Sequence, residues 1–249
     1  MSENFWLFLI AGFVGGATNA AAGGAKLFIF PMLLASGLPP VVANATSTVA
    51  LWPAQIPAAW VYRQELLTDT RALMKLLIPA LVGAMFGALA LVFSSEQDFV
   101  ALIPVLLSVA VGAIVLGPRA TQWLNQAVSV GHLPWLTHSL MAATGFYGAY
   151  FGAGLGFMLL AILSLSGIAD LQRANATKVV FAFFINTTAV IPFAVSGLVN
   201  WTSATFVLLG GIAGGFLGAH VTRHLPSWLL RSVIVITGLG LTAHYIFRE

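Results

Sequence analysis

Charge is what this chain has least of. Only 7% of its 249 residues are Asp, Glu, Lys or Arg, against about 25% in soluble domains. With 59% hydrophobic residues, the chain cannot clothe a water-facing surface, so lipid is its expected solvent. Cysteine is absent altogether, which excludes disulfides, thiolate metal sites and thiol nucleophiles. The seven carboxylates, Glu3, Glu65, Asp69, Glu96, Asp98, Asp170 and Glu249, all fall between or beyond the apolar runs. That leaves no intramembrane acid of the kind proton-coupled carriers use. No Walker loop, zinc motif or nucleophile elbow occurs, so no enzyme activity, metal or cofactor is expected. The formal charge of +3 is spread without a basic run, which argues against a nucleic-acid partner. The first residues, Met1-Ser2-Glu3-Asn4, lack the basic start of a cleaved signal peptide, and the first apolar segment is expected to be retained.

What is present is a series of long apolar runs: 5–36, 45–62, 72–93, 99–117, 134–166, 174–196, 201–222 and 228–247. Six have the length of one bilayer crossing. The runs 5–36 and 134–166 are too long for one crossing and too short for two, and glycine interrupts both. Arg63, Arg71, Lys75, Arg119, Arg173 and Arg223 lie in the connections 63–75, 118–133, 167–173 and 223–227, whereas 37–44, 94–98 and 197–200 carry no Lys or Arg. Basic loops stay cytoplasmic, so the first set is expected inside and the second outside. Segment 134–166 then begins and ends inside, and 5–36 begins and ends outside. The expected fold is an all-α integral membrane protein of two inverted-topology repeats, each a glycine-broken helical hairpin plus three transmembrane helices. The first repeat covers 1–117, a cytoplasmic linker 118–133, and the second repeat 134–249, with both termini outside. Trp6, Trp135, Trp201 and Trp228 at segment starts read as an interfacial belt.

The halves also match in sequence. Ala43-Asn44-Ala45-Thr46 recurs as Ala174-Asn175-Ala176-Thr177, and Gly83-x-x-x-Gly87-Ala88 recurs as Gly214-x-x-x-Gly218-Ala219 at the same offset. Upstream, Gly15, Gly24 and Ser36-Gly37 align with Gly145, Gly154 and Ser166-Gly167, one residue closer. Several matches in order at a nearly fixed offset indicate duplication. Inverted repeats point to a secondary transporter whose site lies near the bilayer midplane, at the corresponding broken segments, here 15–36 and 145–166.

The stretch Asn19-Ala-Ala-Ala-Gly23-Gly24-Ala25-Lys26-Leu-Phe-Ile-Phe-Pro31, followed by Gly37-Leu38-Pro39-Pro40 and Ala45-Thr46-Ser47, resembles the sulfite exporter TauE/SafE family. The second copy, from Gly152-Ala153-Gly154-Leu155-Gly156 to Ala176-Thr177-Lys178, looks like that family's second motif. The resemblance covers nearly the whole chain. It departs where Ala25 and Lys26 replace glycine and where Asn19 stands near a position that is often acidic. The resemblance implies transport of sulfite, a sulfonate or a related small sulfur-containing oxyanion across the cytoplasmic membrane. Export is the leading expectation; an organosulfonate importer and an anion channel are the alternatives. Partners would be that anion and membrane lipid, with a homo-oligomer left open.

Several residues are candidates for binding the anion. Glycines at a helix break let backbone N–H groups approach a ligand closely, and the helix that follows adds the positive end of its dipole. That singles out Gly23, Gly24, Gly152, Gly154 and Gly156. Close packing is the competing use of glycine, and it is the expectation for Gly83, Gly87, Gly214 and Gly218. Lys26 sits inside the first break, where a lysine costs at least about 2.5 kcal/mol, and an anion would offset that cost. Lys178 opposes the dipole of its own helix start. Asn44, Thr46, Ser47, Asn175 and Thr177 are polar residues at matching helix starts, suited to capping or to an oxyanion, and the resemblance adds Asn19, near the position that is often acidic in the family. Gln55 and Asn186 align across the repeat, are expected mid-span, and could donate amide hydrogens. His220 is the histidine placed to titrate within a span.

Overall fold

The computed structural model describes residues 5–22, 24–53, 55–56, 70–127, 134–166, 168, 171–222 and 227–246. Among these the chain is helical, without strands. Ten helices follow one another: α1 (Phe5–Ala22), α2 (Lys26–Ala35), α3 (Pro40–Leu51), α4 (Thr70–Phe93), α5 (Glu96–Ala127), α6 (Pro134–Tyr150), α7 (Leu155–Leu165), α8 (Leu171–Val195), α9 (Trp201–Thr222) and α10 (Ser227–Ile246). Leu73–Phe93, Glu96–Gly117 and Arg173–Val195 are long and apolar enough to cross a bilayer. Phe93, Val195, Phe216 and Ile236 are each at least two-thirds exposed. That is untenable in water over so wide a surface and ordinary against lipid. Trp6, Trp135 and Trp201 are also exposed, as an interfacial belt requires.

The two over-long runs are hairpins. At 1.5 Å per residue, the 10-residue α2 and 11-residue α7 span only about 15 Å, half of a hydrocarbon core of about 30 Å. Each is a half-helix that returns from a break instead of a full crossing. The run 45–62 departs from expectation in another way. α3 stops at Leu51, because Pro53 has no N–H to donate to Val49 and its ring crowds that carbonyl. Gln55 therefore lies beyond a bend, whereas its counterpart Asn186 lies midway along the continuous α8. At the other extreme, α5 runs on to Ala127, so the expected linker 118–133 begins as a continuation of that helix; residues 128–133 lie outside the described residues.

Glycine sets the closest helix contacts. A Cβ at Gly83 or Gly87 of α4 would collide with the backbone carbonyls of Ala142 or Phe146 on α6, and one at Gly145 with that of Ala80. On α1 and α9, Gly12 meets Val207, Gly16 meets Gly211, and Gly214 meets Phe13. In both pairs, glycines one turn apart meet carbonyls one turn apart in the same sense, so α1 runs parallel to α9 and α4 parallel to α6. These two are also the most extensive helix pairings. They correspond when the halves are exchanged. So do α2 and α3 with α7 and α8, α4 on α8 with α9 on α3, and α5 on α7 with α10 on α2. By these contacts the partner of Gly145 in the first half is Gly16, not Gly15: Gly16 meets Gly211 and Gly145 meets Ala80, and Ala80 and Gly211 are the repeat-related pair.

One end of the molecule gathers the three connections that lack Lys and Arg. Val41 at the start of α3 donates its N–H to Glu96 Oε2 at the start of α5 (2.8 Å). Asn200, before α9, donates its N–H to Thr46 Oγ1 of α3 (3.0 Å). Ser94, between α4 and α5, pairs with the hydroxyl of Tyr150 (3.2 Å).

The glycine contacts predict a contrast. Gly83→Ala and Gly145→Ala force a methyl into a backbone carbonyl that cannot move aside, and each should cost about 1–3 kcal/mol. Gly112→Ala and Gly240→Ala meet nothing within 4 Å and should be neutral or slightly stabilising, because alanine is the better helix former. Melting of the four variants in detergent measures the difference. Equal melting would show that these glycines do not set the helix spacing.

Candidate functional site

The two breaks differ in construction. In the second, Gly152 (φ 82°) and Gly154 (φ 75°) both adopt the left-handed region, which glycine enters without a Cβ penalty. Tyr147 pins this turn: its hydroxyl reaches the carbonyl of Ala153 (2.7 Å) and also that of Leu106 on α5 (3.2 Å). In the first break no described residue takes positive φ; Ala25 precedes α2 in a right-handed conformation, and Gly23 lies outside the described residues. Both half-helices begin without a side-chain cap. Their first turns bond to backbone carbonyls instead: Leu27 N–H to Gly24 and Phe28 N–H to Ala25 in the first, Leu155 N–H to Gly152 and Phe157 N–H to Gly154 in the second, which leaves the positive end of each helix dipole as the feature an anion would meet.

The breaks meet. Lys26, the first residue of α2 and 6% exposed, donates from Nζ to Thr48 Oγ1 on α3 at 2.6 Å. Its ammonium also lies 5.7 Å from the ring centre of Phe151, the residue leading into the second break. Edge-on packing of Phe30 against Phe151 (5.6 Å) holds the first turns of α2 against the other half, and Phe99 of its own half packs edge-on against the same ring (6.2 Å). Among the described residues no carboxylate lies against Lys26. Glu96 and Asp98, the two acids among them, sit exposed at the start of α5. A buried cation with one hydroxyl and one aromatic face is only partly compensated.

Asn44 is fully buried beside it and crosses between the halves. Its Nδ2 donates to the carbonyl of Tyr150, the last residue of α6, at 2.7 Å. Its Oδ1 has no partner. Its own carbonyl accepts from Ser47 Oγ (2.7 Å) and Thr48 Oγ1 (3.1 Å). Thr46, also fully buried, is used by Asn200. In the second half, Lys178 donates to Asn175 Oδ1 (3.0 Å), and its Cδ passes where a Cβ on Gly156 would come within 3.4 Å. Thr177 bonds back to the carbonyl of Arg173 (2.8 Å).

Of the residues singled out from sequence, Gly24, Lys26, Asn44, Thr46 and Ser47 gather where α2 and α3 approach the second break at Gly152 and Gly154. Gly156, Asn175, Thr177 and Lys178 form the corresponding α7–α8 contact. Gln55 is half-buried with its Oε1 unpartnered, and Asn186 is half-buried on α8. The α3–α8 contact between them is closed by Trp52, which donates to Thr187 Oγ1 (2.8 Å) and stacks on Phe183 (6.0 Å). The side chains of Asn19 and His220 lie outside the described residues. Sequence reasoning missed Thr48, Phe151, Tyr147 and Tyr150. Thr48 was findable, being one turn from Asn44 on the same face. Tyr147 carries a weaker signal, since a tyrosine in an apolar run needs a partner for its hydroxyl. Phe151 gave none.

Residues 8–245 match the family model described as sulfite exporter TauE/SafE. A probable membrane transporter protein of Haemophilus influenzae is 28% identical over 98% of this chain and 94% of its own length. The probable membrane transporter protein YfcA of Escherichia coli K12 is 26% identical over 98% and 88%. YunE of Bacillus subtilis, also named a probable membrane transporter protein, is 30% identical over 41% and 39%. No solved structure matches the chain.

Proposed function

The chain belongs to the sulfite exporter TauE/SafE family and is a membrane transporter, and from that premise we propose that it exports sulfite or a small organosulfonate across the cytoplasmic membrane. The observation that carries this reading is Lys26: a buried ammonium at the start of an uncapped half-helix, faced among the described residues by Thr48 and Phe151. An anion held there would receive the ammonium and the positive dipole end of α2, and that of α7 from the opposing break. Lys178, Asn175 and Gly156 supply the second half's share. Asn44 and Thr46 serve the site by holding the halves together, their polar groups being engaged with Tyr150 and Asn200.

The same reading places the two repeats, 1–117 and 134–249, in opposite senses in the membrane, joined by a cytoplasmic segment at 118–133, with both termini outside. Two features support it. The helix pairings correspond under exchange of halves, and the connections that lack Lys and Arg gather at one end. Gln97 and Ser196, one from each half and both exposed at that end, provide a test in this cysteine-free chain. Gln97→Cys and Ser196→Cys should each react with an impermeant thiol reagent added outside intact cells. Reaction of one position and not the other is incompatible with the arrangement.

Transport of this kind needs no proton. A negative interior drives an anion outward by about 2.3 kcal/mol per charge per 100 mV, and the described carboxylates lie at a helix start on the surface. In proteoliposomes with equal pH on both sides and a potassium–valinomycin clamp, sulfite flux should run toward the positive side, rise with the potential and saturate. Flux that ignores potential and follows an imposed pH gradient would overturn electrogenic export. Unsaturable flux with large unitary currents would make the protein a channel.

A further inference from the structure

The repeat-related residues Asn44 and Asn175 are not used alike. Asn44, one turn into α3, is fully buried and donates across the halves to the carbonyl of Tyr150 at the end of α6 (2.7 Å). Asn175, one turn into α8, is partly exposed and accepts only from Lys178 on its own helix (3.0 Å). The neighbouring threonines divide in the same way. Thr46 takes a hydrogen bond from Asn200 of the other half, whereas Thr177 bonds back to Arg173 within α8. Around Asn44 the tie across the halves is reinforced by Ser94 on the Tyr150 hydroxyl, while Glu96 on Val41 fixes the start of α3 within its own half. Around Asn175, Nε of Arg173 is buried with no partner. One end is therefore tied across the halves by side chains whose repeat partners, among the described residues, bond within their own helix.

We propose that Asn44 and Asn175 are reciprocal latches, each closing one end of the transporter by donating to the carbonyl end of the opposing hairpin's first helix. Asn44 closes the end bearing the Lys- and Arg-free connections, and the structure is that closed form. In the alternate form Asn44 releases Tyr150. Asn175 then leaves Lys178 and takes a carbonyl at the end of α1, near Ala21, the position that corresponds to Tyr150. Such a carbonyl is among the last four of its helix and has no intrahelical donor. The exchange also frees Lys178 Nζ when the second end closes. Each latch trades one amide hydrogen bond for another, so the two forms stay close in free energy, as a carrier that visits both requires.

The proposal rests on the transporter reading, but its test needs no substrate, so failure of the latch leaves the flux result untouched. Spin labels on Gln97→Cys and Ser196→Cys report the separation of the halves at the tied end by pulsed electron–electron resonance in lipid nanodiscs. Asn44→Ala should add a longer distance, raising the ratio of the longer to the shorter population about fivefold, the effect of losing one net hydrogen bond. Asn175→Ala should do the opposite and deplete whatever longer population the unsubstituted background shows, and the double variant should return close to that background. Asn175→Ala keeps the test decisive if Asn44→Ala fails to fold, because Asn175 bonds only within its own helix. Shifts of both single variants in the same direction, or no shift in Asn175→Ala against a background with a measurable longer population, would overturn it. If the background shows only the short distance, Asn44→Asp replaces Asn44→Ala: it removes the amide donor and sets a carboxylate against the Tyr150 carbonyl. An unchanged distribution there would overturn the proposal equally.

Discussion

A lysine held in the interior of a membrane protein and faced, among the described residues, by a hydroxyl and an aromatic ring constrains everything around it. Lys26 can sit there only if the chain breaks at 23–25, so that the ammonium falls at a helix start. The other half must also bring Phe151 and the carbonyl end of α6 to the same place. A helix start is a poor location for a cation, since the dipole opposes it. On the proposed reading, an anion beside the ammonium would offset both the burial of the charge and the opposing dipole.

Bringing the breaks together depends on backbone approach. In lipid there is no hydrophobic drive between helices, and close packing of small residues replaces it. The glycines of α1 with α9 and of α4 with α6 place each hairpin's first helix directly against the opposite half. Each hairpin is therefore carried by the partner repeat as much as by its own. Relative movement of the halves would move one break with respect to the other, and with it the proposed site between them.

Much of this was legible in the sequence because membrane physics leaves few choices. The apolar runs, the glycine breaks and the exceptional position of Lys26 follow from length and charge alone. The packing role of Gly83 and Gly87 follows from their spacing. What was not legible involved choices made by the other half. Asn44 and Thr46 read slightly better as caps than as oxyanion ligands, and they bond across to Tyr150 and Asn200. Phe151 is one phenylalanine among 18, with nothing to mark the ring that faces Lys26. Pro53 should have stopped α3 on sight, yet the apolar run around it masked the interruption. The alignment of Gly15 with Gly145 failed by one residue because α7 is one residue longer than α2, a difference only the packing partners reveal.

The central claim is that the charge of Lys26 is held in place for an anion. Isothermal titration of purified protein with sulfite addresses it directly, comparing the unsubstituted chain with Lys26→Ala and Lys26→Arg. Loss of a hydrogen bond to a charged group is worth about 1.5–3 kcal/mol, so Lys26→Ala should weaken binding by about 10- to 100-fold while the protein stays folded and monodisperse. Lys26→Arg should recover little, because a planar guanidinium does not fit where a compact ammonium sits between Thr48 and Phe151. Unchanged sulfite affinity in a folded Lys26→Ala protein would contradict the account.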